Sequence, residues 1–340
     1  MIGVVCLNPA LDITHHVRAV DWAGVNRPHR VETRPGGKGV NVARALLALG
    51  AEVLVVGLAG GFAGEELTAG LASLGVPSRL TPIAGETRRT FAVLDEARQT
   101  VAMFNEPGPP VQASEFGEFL MAFKRVLGDV EAIVLSGSLP PGLPADTYAT
   151  LIRTAGVAGV PVVLDDHGEA LRLGVAAGPA IAKPNLAELE DLAGQPLSLA
   201  GDGTGRATVA SAAAELRSAG AGSVVVSLGP AGLLAETADG RWRAIPPPVD
   251  AANPTGAGDA VTAGLALGLV RGQPWPDRLR TAAALGTAAA LAPVAGEYRP
   301  ADYQRVRDEV TVTALPPARY GSAQDTGSDG HADLRNGGAG

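Results

Sequence analysis

Lysine is nearly missing from this chain. Of 27 lysine and arginine residues in 340, only Lys38, Lys124 and Lys183 are lysine. Cysteine is scarcer still: Cys6 stands alone, which excludes an internal disulfide and a thiolate metal cluster. Basic runs are absent and the formal net charge is -8, so the chain lacks the cationic face that counterion release on a nucleic acid requires. No apolar stretch reaches the roughly 18 residues of a membrane span. The start, Met1-Ile2-Gly3-Val4-Val5, has no basic leader region and runs directly into a strand pattern. The expectation is a soluble, cytoplasmic protein with no nucleic-acid or membrane partner.

Against these absences, hydrophobic residues make up 46% and charged ones 18%, enough to build a sizeable core. The length allows about two domains, or one large α/β unit with an elaboration. Glycine (45) and proline (26) together form about a fifth of the chain, below the level that marks low complexity.

Short β-branched runs alternate with alanine- and leucine-rich amphipathic stretches. Strands are predicted over residues 3–7, 52–58, 132–135, 161–165, 180–183 and 223–228, and helices over 39–49, 64–74, 145–155, 208–219, 256–270 and 277–291. Continuously apolar strands alternating with helices imply a parallel sheet covered on both faces. Two stretches, 14–34 and 87–104, break the rhythm with mixed-polarity strands and no helix between them. They read as antiparallel hairpins outside the main sheet, together forming a small β-lid over the strand ends. Residues from about 313 to 340 are rich in Gly, Ser, Ala and Asp without apolar periodicity, and a disordered tail is expected there.

Pro254-Thr255-Gly256-Ala257-Gly258-Asp259-Ala260 stands directly before an apolar helix. Glycines at a helix mouth let backbone N–H groups converge on an anion, with the helix dipole behind them. Gly256, Ala257 and Gly258 are the candidate anion cradle, and Asp259 could accept the proton of an attacking hydroxyl. A glycine-rich turn with an acid in the first helical turn is the plainer alternative. A second glycine loop, Pro35-Gly36-Gly37-Lys38-Gly39-Val40-Asn41, also opens a helix; Gly36 and Gly37 would admit a polar ligand and Asn41 could bind hydroxyls, or the loop is a tight turn. Neither a Walker A spacing nor a dinucleotide fingerprint is present.

Taken in order, six segments resemble the ribokinase-like carbohydrate kinases of the phosphofructokinase B group: residues 8–12 (Asn-Pro-Ala-Leu-Asp), 36–44 (Gly-Gly-Lys-Gly-Val-Asn-Val-Ala-Arg), 136–142 (Ser-Gly-Ser-Leu-Pro-Pro-Gly), 183–189 (Lys-Pro-Asn-Leu-Ala-Glu-Leu), 227–229 (Ser-Leu-Gly) and 256–259 (Gly-Ala-Gly-Asp). The resemblance spans about residues 1–312. It implies a three-layer α/β/α sandwich with a mostly parallel central sheet, a β-lid from about 12–34 and 87–107, and transfer of the ATP γ-phosphoryl group to a sugar hydroxyl with Mg²⁺. Within the group, the segments at 8–12, 24–27, 85–89 and 105–109 are most similar to the phosphosugar branch, 1-phosphofructokinase and tagatose-6-phosphate kinase.

The same resemblance implies residue roles. Asp12 would receive sugar hydroxyls, although an Asp after a strand also forms turns. Arg88, with Lys38 second, would hold the phosphate already on the substrate, since arginine grips phosphate bidentately; Arg89 ranks lower. Ser138 would touch that phosphate too, or its proline-rich loop is simply stiff. Asn185 and Glu188, three apart at a helix start, would arrange Mg²⁺ mostly through water, unless they only cap the helix. Lys183 would reach the nucleotide phosphates, with Ser227, Gly229 and Asn253 on the same side of the cleft. Two of the three lysines thus fall beside expected phosphates. At 165–171 the chain reads Asp-Asp-His-Gly-Glu-Ala-Leu where many relatives have Asp-Thr-Ser-Gly. His15, His16, His29, His167 and His331 show no ligand spacing, and Trp22, Trp242 and Trp275 read as packing or surface residues.

The function expected from the sequence is an ATP-dependent phosphosugar kinase, foremost a 1-phosphofructokinase making fructose 1,6-bisphosphate. A tagatose-6-phosphate kinase, a 6-phosphofructokinase and a catalytically inactive sugar-phosphate sensor are the alternatives. The exposed hairpin face of the lid offers a surface through which a homodimer could form, and the sequence leaves the oligomeric state open.

Overall fold

The computed structural model describes residues 1–199, 207–292, 294 and 296–316. The elements in chain order are β1 (Ile2–Cys6), β2 (Ala10–Val17), β3 (Arg30–Gly36), α1 (Lys38–Ala48), β4 (Val53–Ala59), α2 (Gly61–Ser73), β5 (Ser78–Pro82), β6 (Arg88–Asp95) and β7 (Thr100–Asn105). There follow α3 (Ala113–Val126), β8 (Ala132–Ser136), α4 (Thr147–Val157), β9 (Val162–Asp165), α5 (Gly168–Ala176), β10 (Ile181–Ala182), α6 (Leu186–Ala193), α7 (Val209–Ser218) and β11 (Val224–Ser227). The chain ends its described part with β12 (Leu233–Thr237), β13 (Gly240–Ile245), α8 (Ala257–Val270), α9 (Trp275–Leu291), α10 (Pro300–Glu309) and β14 (Thr311–Leu315).

Ten strands form one sheet in the order β14-β13-β12-β11-β10-β9-β8-β1-β4-β5. From β5 to β11 neighbouring strands are parallel, and β12, β13 and β14 close one edge antiparallel. Strand alternation sorts the core into two layers. Ile2, Val4 and Cys6 of β1 pack with residues of α1, α8 and α9 on one face. Val5 and Leu7 point the other way, into the layer of Phe119 and Phe123 from α3 and Tyr148, Leu151 and Ile152 from α4. Both faces being covered, the central strands are apolar throughout, as the sequence pattern requires. Burying one such phenylalanine is worth about 1.5–3 kcal/mol. Cys6 is buried and unpaired.

The six predicted strands and six predicted helices are present with ends displaced by three residues or fewer. The elements β10, β11 and α7 are each two residues shorter than predicted. Past β10 the Lys183 N–H still donates to the Leu164 carbonyl at 2.9 Å, and the Pro184 carbonyl accepts from the Ser227 N–H at 3.0 Å. The helices α3, α5 and α10, the parallel edge strand β5 and the antiparallel edge lay outside the predicted elements. The edge strand β14 includes Thr313, which pairs with Arg243, so the expected domain end at 312 and tail start at 313 fall inside the sheet. The remainder of the expected tail, 317–340, lies outside the described residues.

The two excursions build the second sheet, ordered β3-β2-β6-β7. Each is an antiparallel hairpin, β2 with β3 and β6 with β7, and the hairpins join through a parallel β2–β6 pairing. Arg34 on β3 ties this lid to the body: its guanidinium donates to Glu297 at 2.9 Å, and Arg44 of α1 donates to the same carboxylate at 2.7 Å. Among the described residues no helix is long and apolar enough to cross a membrane.

Candidate active site

From β1 the chain moves through the first lid hairpin to β4 on one side, and it later returns to β8 on the other. A crevice opens at the carboxyl ends of parallel strands where the order reverses in this way. The motifs singled out in the sequence leave the strands at this end: Asn8 after β1, Ser138 after β8, Asp165 closing β9, Lys183 after β10 and Ser227 closing β11.

At the centre is the start of α8. Gly256 has φ +83°, the left-handed region that glycine enters without strain, and this turns the chain from Pro254 into the helix. The Ala257 N–H donates to the Pro254 carbonyl at 3.2 Å, so that amide is already engaged. A Cβ on Gly258 would lie 3.8 Å from Lys183 Nζ, which puts the lysine ammonium against the helix mouth. Asp259 is only 6% exposed, and its Oδ2 accepts a hydrogen bond from Asn41 Nδ2 of α1 at 2.9 Å. Burial above all, and then the charge of Asp165, push the Asp259 carboxyl up to about 7, against the opposing pull of Asn41, Lys38 and Lys183. A carboxylate that titrates near neutrality is suited to accepting a proton in catalysis.

Asp165 is the neighbouring acid, and its surroundings are opposite. Lys183 Nζ lies 3.1 Å from its Oδ1, and the Thr262 hydroxyl donates to its Oδ2 at 2.7 Å. Thr262 lies three residues after Asp259 on α8, so one helix face presents both groups to the end of β9. Burial pushes Asp165 up, but Lys183 and then Lys38, with the Thr262 hydroxyl, outweigh it and hold the carboxyl below its ordinary value. Asp165 in turn is the leading cause that raises the Lys38 ammonium, helped by Asp259 and Glu188 against desolvation.

Around this core stand the sugar-side residues. Gly36 packs against the Asp12 carboxyl so closely that a Cβ there would lie 2.0 Å from Asp12 Oδ2; a larger residue would push that carboxyl aside. Desolvation raises the Asp12 carboxyl, with the Thr90 hydroxyl and the charges of Arg88 and Arg44 opposing. Arg88 donates from Nε to the Asn8 carbonyl at 3.1 Å and from its NH1 group to the Glu106 carbonyl at 3.2 Å. Arg89, its neighbour on β6, instead pairs with Glu86 at 3.2 Å. Asn8 donates to Ser138 Oγ at 3.3 Å, bringing β1 and the loop after β8 together. Gly37, preceding Lys38, takes φ +97° as N-cap of α1.

On the other side, Asn185 and Glu188 form a reciprocal cap on α6: Asn185 Oδ1 accepts from the Glu188 N–H at 2.9 Å, and Glu188 Oε2 accepts from the Asn185 N–H at 2.8 Å. The structural alternative weighed for this pair is therefore realised. Asn185 also bridges to Ser227 in parallel register; Gly229 follows in the left-handed region at φ +57°, and Asn253 accepts from the Thr255 N–H at 3.0 Å. Among the described residues no three His, Cys, Asp or Glu side chains converge as direct metal ligands. The donors present are oxygens already spent in part on the cap, which suits a hydrated Mg²⁺ and not a stripped ion.

The structure brings Asp259, Gly258, Lys183, Lys38 and Asn41 into one cluster. It ties Asn41 to Asp259, where the sequence pointed to a sugar hydroxyl. Asp165 and Thr262 complete the cluster without having been assigned a place in it. An acid closing a buried apolar strand was the available signal for Asp165; Thr262, one hydroxyl within an apolar helix, gave none.

Comparison with known proteins agrees with this geometry. The model of the pfkB family carbohydrate kinases matches residues 5–301. Phosphofructokinase-2 from Escherichia coli superposes with a TM-score of 0.83 at 32% identity, over 90% of this chain and 98% of that one. A Thermotoga maritima protein described as a possible 1-phosphofructokinase gives 0.79 at 26% identity, over 93% and 100%. A lid beside a doubly covered sheet, an acid at a glycine-rich helix mouth and a family match across most of its length lead to one conclusion: this chain belongs to the pfkB family of carbohydrate kinases, phosphotransferases with an alcohol group as acceptor.

Proposed function

We propose that this protein is an ATP-dependent kinase of a phosphorylated ketohexose, with fructose 1-phosphate as the leading acceptor. The observation that carries the reading is Asp259, buried, bound to Asn41 and set at the mouth of α8 beside Lys183. In the proposed step the sugar hydroxyl loses its proton to Asp259, its oxygen bonds to the γ-phosphorus, and the bond to the β-phosphate oxygen breaks to release ADP. The Gly256 and Gly258 N–H groups and Lys183 take the charge of the transferring group, with Ala257 joining only if its contact to Pro254 opens. Asp12 and the loop of Gly36 and Gly37 hold sugar hydroxyls; Arg88, Lys38 and Ser138 hold the phosphate on the acceptor. Ser227, Gly229 and Asn253 line the nucleotide side. Asn185 and Glu188 would hold Mg²⁺ through water, and the ion supplies charge neutralisation on the nucleotide phosphates. Closure of the lid excludes water as a competing acceptor.

A second acceptor, fructose 6-phosphate, is favoured by the 32% identity to E. coli phosphofructokinase-2, a structure of which holds fructose-6-phosphate; tagatose 6-phosphate would use the same groups. The lid register places Ile13, Val31, Phe91, Val93 and Phe104 on one face, and we propose a second copy as its cover. Another structure of that E. coli neighbour is described as its tetrameric inhibited form, so self-association occurs within the family. ADP release measured across fructose 1-phosphate, fructose 6-phosphate, tagatose 6-phosphate and unphosphorylated sugars tests the reading. Turnover with a phosphorylated ketohexose and not with the free sugar is expected. Absence of turnover with all of them would end the kinase assignment.

A further inference from the structure

The loop after β9 carries a pair of side chains that the reaction above does not use. Asp166 and His167 follow Asp165 at the carboxyl end of the sheet, between Ser138 after β8 and Lys183 after β10. His167 Nδ1 lies 3.1 Å from Asp166 Oδ1, and the two side chains differ sharply in exposure, 59% for the imidazole and 2% for the carboxylate. Among the described residues, His167 is the one ion-pair partner of Asp166. A buried carboxylate is costly without such a partner. Asp166 Oδ1 accepts no hydrogen bond from the described residues, so the pair is a contact of charge and proximity that holds the ring at the end of β9.

The anchoring decides which nitrogen faces outward. With Nδ1 on the side of the carboxylate, Nε2 lies on the opposite side of the ring, and an adjacent carboxylate favours the imidazole's charged form. His167 is also the N-cap of α5 in extended conformation, at the positive end of that helix dipole. The charged groups that act on it from the neighbouring elements are Lys38 of α1 and Glu188 of α6, besides Asp166 itself. The ring is thus within electrostatic reach of Lys38, which opens α1 after the glycine loop, and of Glu188 of the proposed Mg²⁺ pair.

We propose that His167, oriented by Asp166, is a phosphate-binding residue of this cleft, its outward Nε2–H donating to the β- or γ-phosphate of the nucleotide. Asp166 is a positioning residue that acts through the ring. Contact with Asp166 first, with Glu188 adding and burial and Lys38 opposing, raises the imidazole above its ordinary value. The donor charge therefore persists to higher pH than on a free imidazole and is lost as pH rises through the raised value.

This inference rests on the nucleotide-dependent kinase reading. The test is calorimetric titration of the full chain with a non-hydrolysable ATP analogue and Mg²⁺, alongside the His167 Hε1 resonance. For His167→Ala the dissociation constant should rise about tenfold to hundredfold, the scale of one charged hydrogen bond, with the KM for ATP rising more than kcat falls. His167→Gln, which keeps an N–H donor, should recover part of the affinity. His167→Ala leaves the buried Asp166 without its ion-pair partner and should melt lower than His167→Gln, so binding is compared at a temperature where both variants are folded. Asp166→Asn should lower the pH at which His167 titrates. Wild-type binding together with an unchanged His167→Ala constant overturns the contact alone. Failure of the wild type to bind the analogue removes the kinase reading and this contact with it.

Discussion

The end of β9 and the start of α8 each bring one buried carboxylate to the same cleft, and the two are held in opposite states. Asp165 touches Lys183 at 3.1 Å and the Thr262 hydroxyl at 2.7 Å, and its charge is stabilised. Among the described residues Asp259 accepts from the neutral amide of Asn41, and its charge is resisted by burial and by Asp165 itself. Identical chemistry thus yields a fixed counter-charge at one place and, at the other, a carboxyl that titrates near neutrality, the proposed proton acceptor. What separates them is which acid the lysine reaches: attraction to an adjacent ammonium outweighs desolvation, while a single amide donor does not.

The largest effect expected from breaking this contrast is on turnover. Asp259→Asn removes the acceptor and leaves the shape, so kcat should fall roughly 10²–10⁴-fold while nucleotide affinity changes little, the usual scale for a general base. Steady-state kinetics with the best acceptor would check it. Asp165→Asn comes next. It leaves Lys183 buried without its counter-charge, which should destabilise the fold by about 3–5 kcal/mol, and kcat/KM should drop roughly tenfold, about 1.4 kcal/mol.

Stability against pH sharpens the same comparison, because the signs differ. The Asp259 carboxyl is raised in the fold, so its contribution is complete below the ordinary carboxylate range and is lost as pH rises through about 7. Asp259→Asn should therefore melt higher than wild type at pH 8, with the gain vanishing at acid pH. The Asp165 carboxyl is lowered, so its contribution is present above the ordinary value and is lost as pH falls through the depressed one. Asp165→Asn should melt lower at pH 8, and the deficit should shrink in acid. Melting curves of both variants across pH read the two signs directly. The smallest effect is for Asn41→Ala: without the amide donor Asp259 should titrate higher, and kcat at neutral pH should fall severalfold.

The parallel core was legible because apolar strands and amphipathic helices have different periods, and that signal survives wherever burial is two-sided. The antiparallel edge was less so. Strand β13 mixes Arg241, Trp242 and Arg243, and α10 buries only Val306, so neither carries a strong apolar rhythm. In the cleft, Asp259 and Gly258 could be found because glycine at a helix mouth is a local signal. Pairings were not local. Lys183 with Asp165, and Asn41 with Asp259, join residues 18 and 218 positions apart, and only the strand order brings them together. The reciprocal cap between Asn185 and Glu188 had a sequence signature, yet the same three-residue spacing serves a cap and a metal equally well.

The pH dependence of kcat/KM for the wild-type enzyme tests the central claim most directly. If Asp259 is the proton acceptor and burial holds it near neutrality, kcat/KM should fall with a single acidic limb centred at about 7 and reach a plateau above it. A profile that is flat from about pH 5.5 to 8.5 would contradict the account.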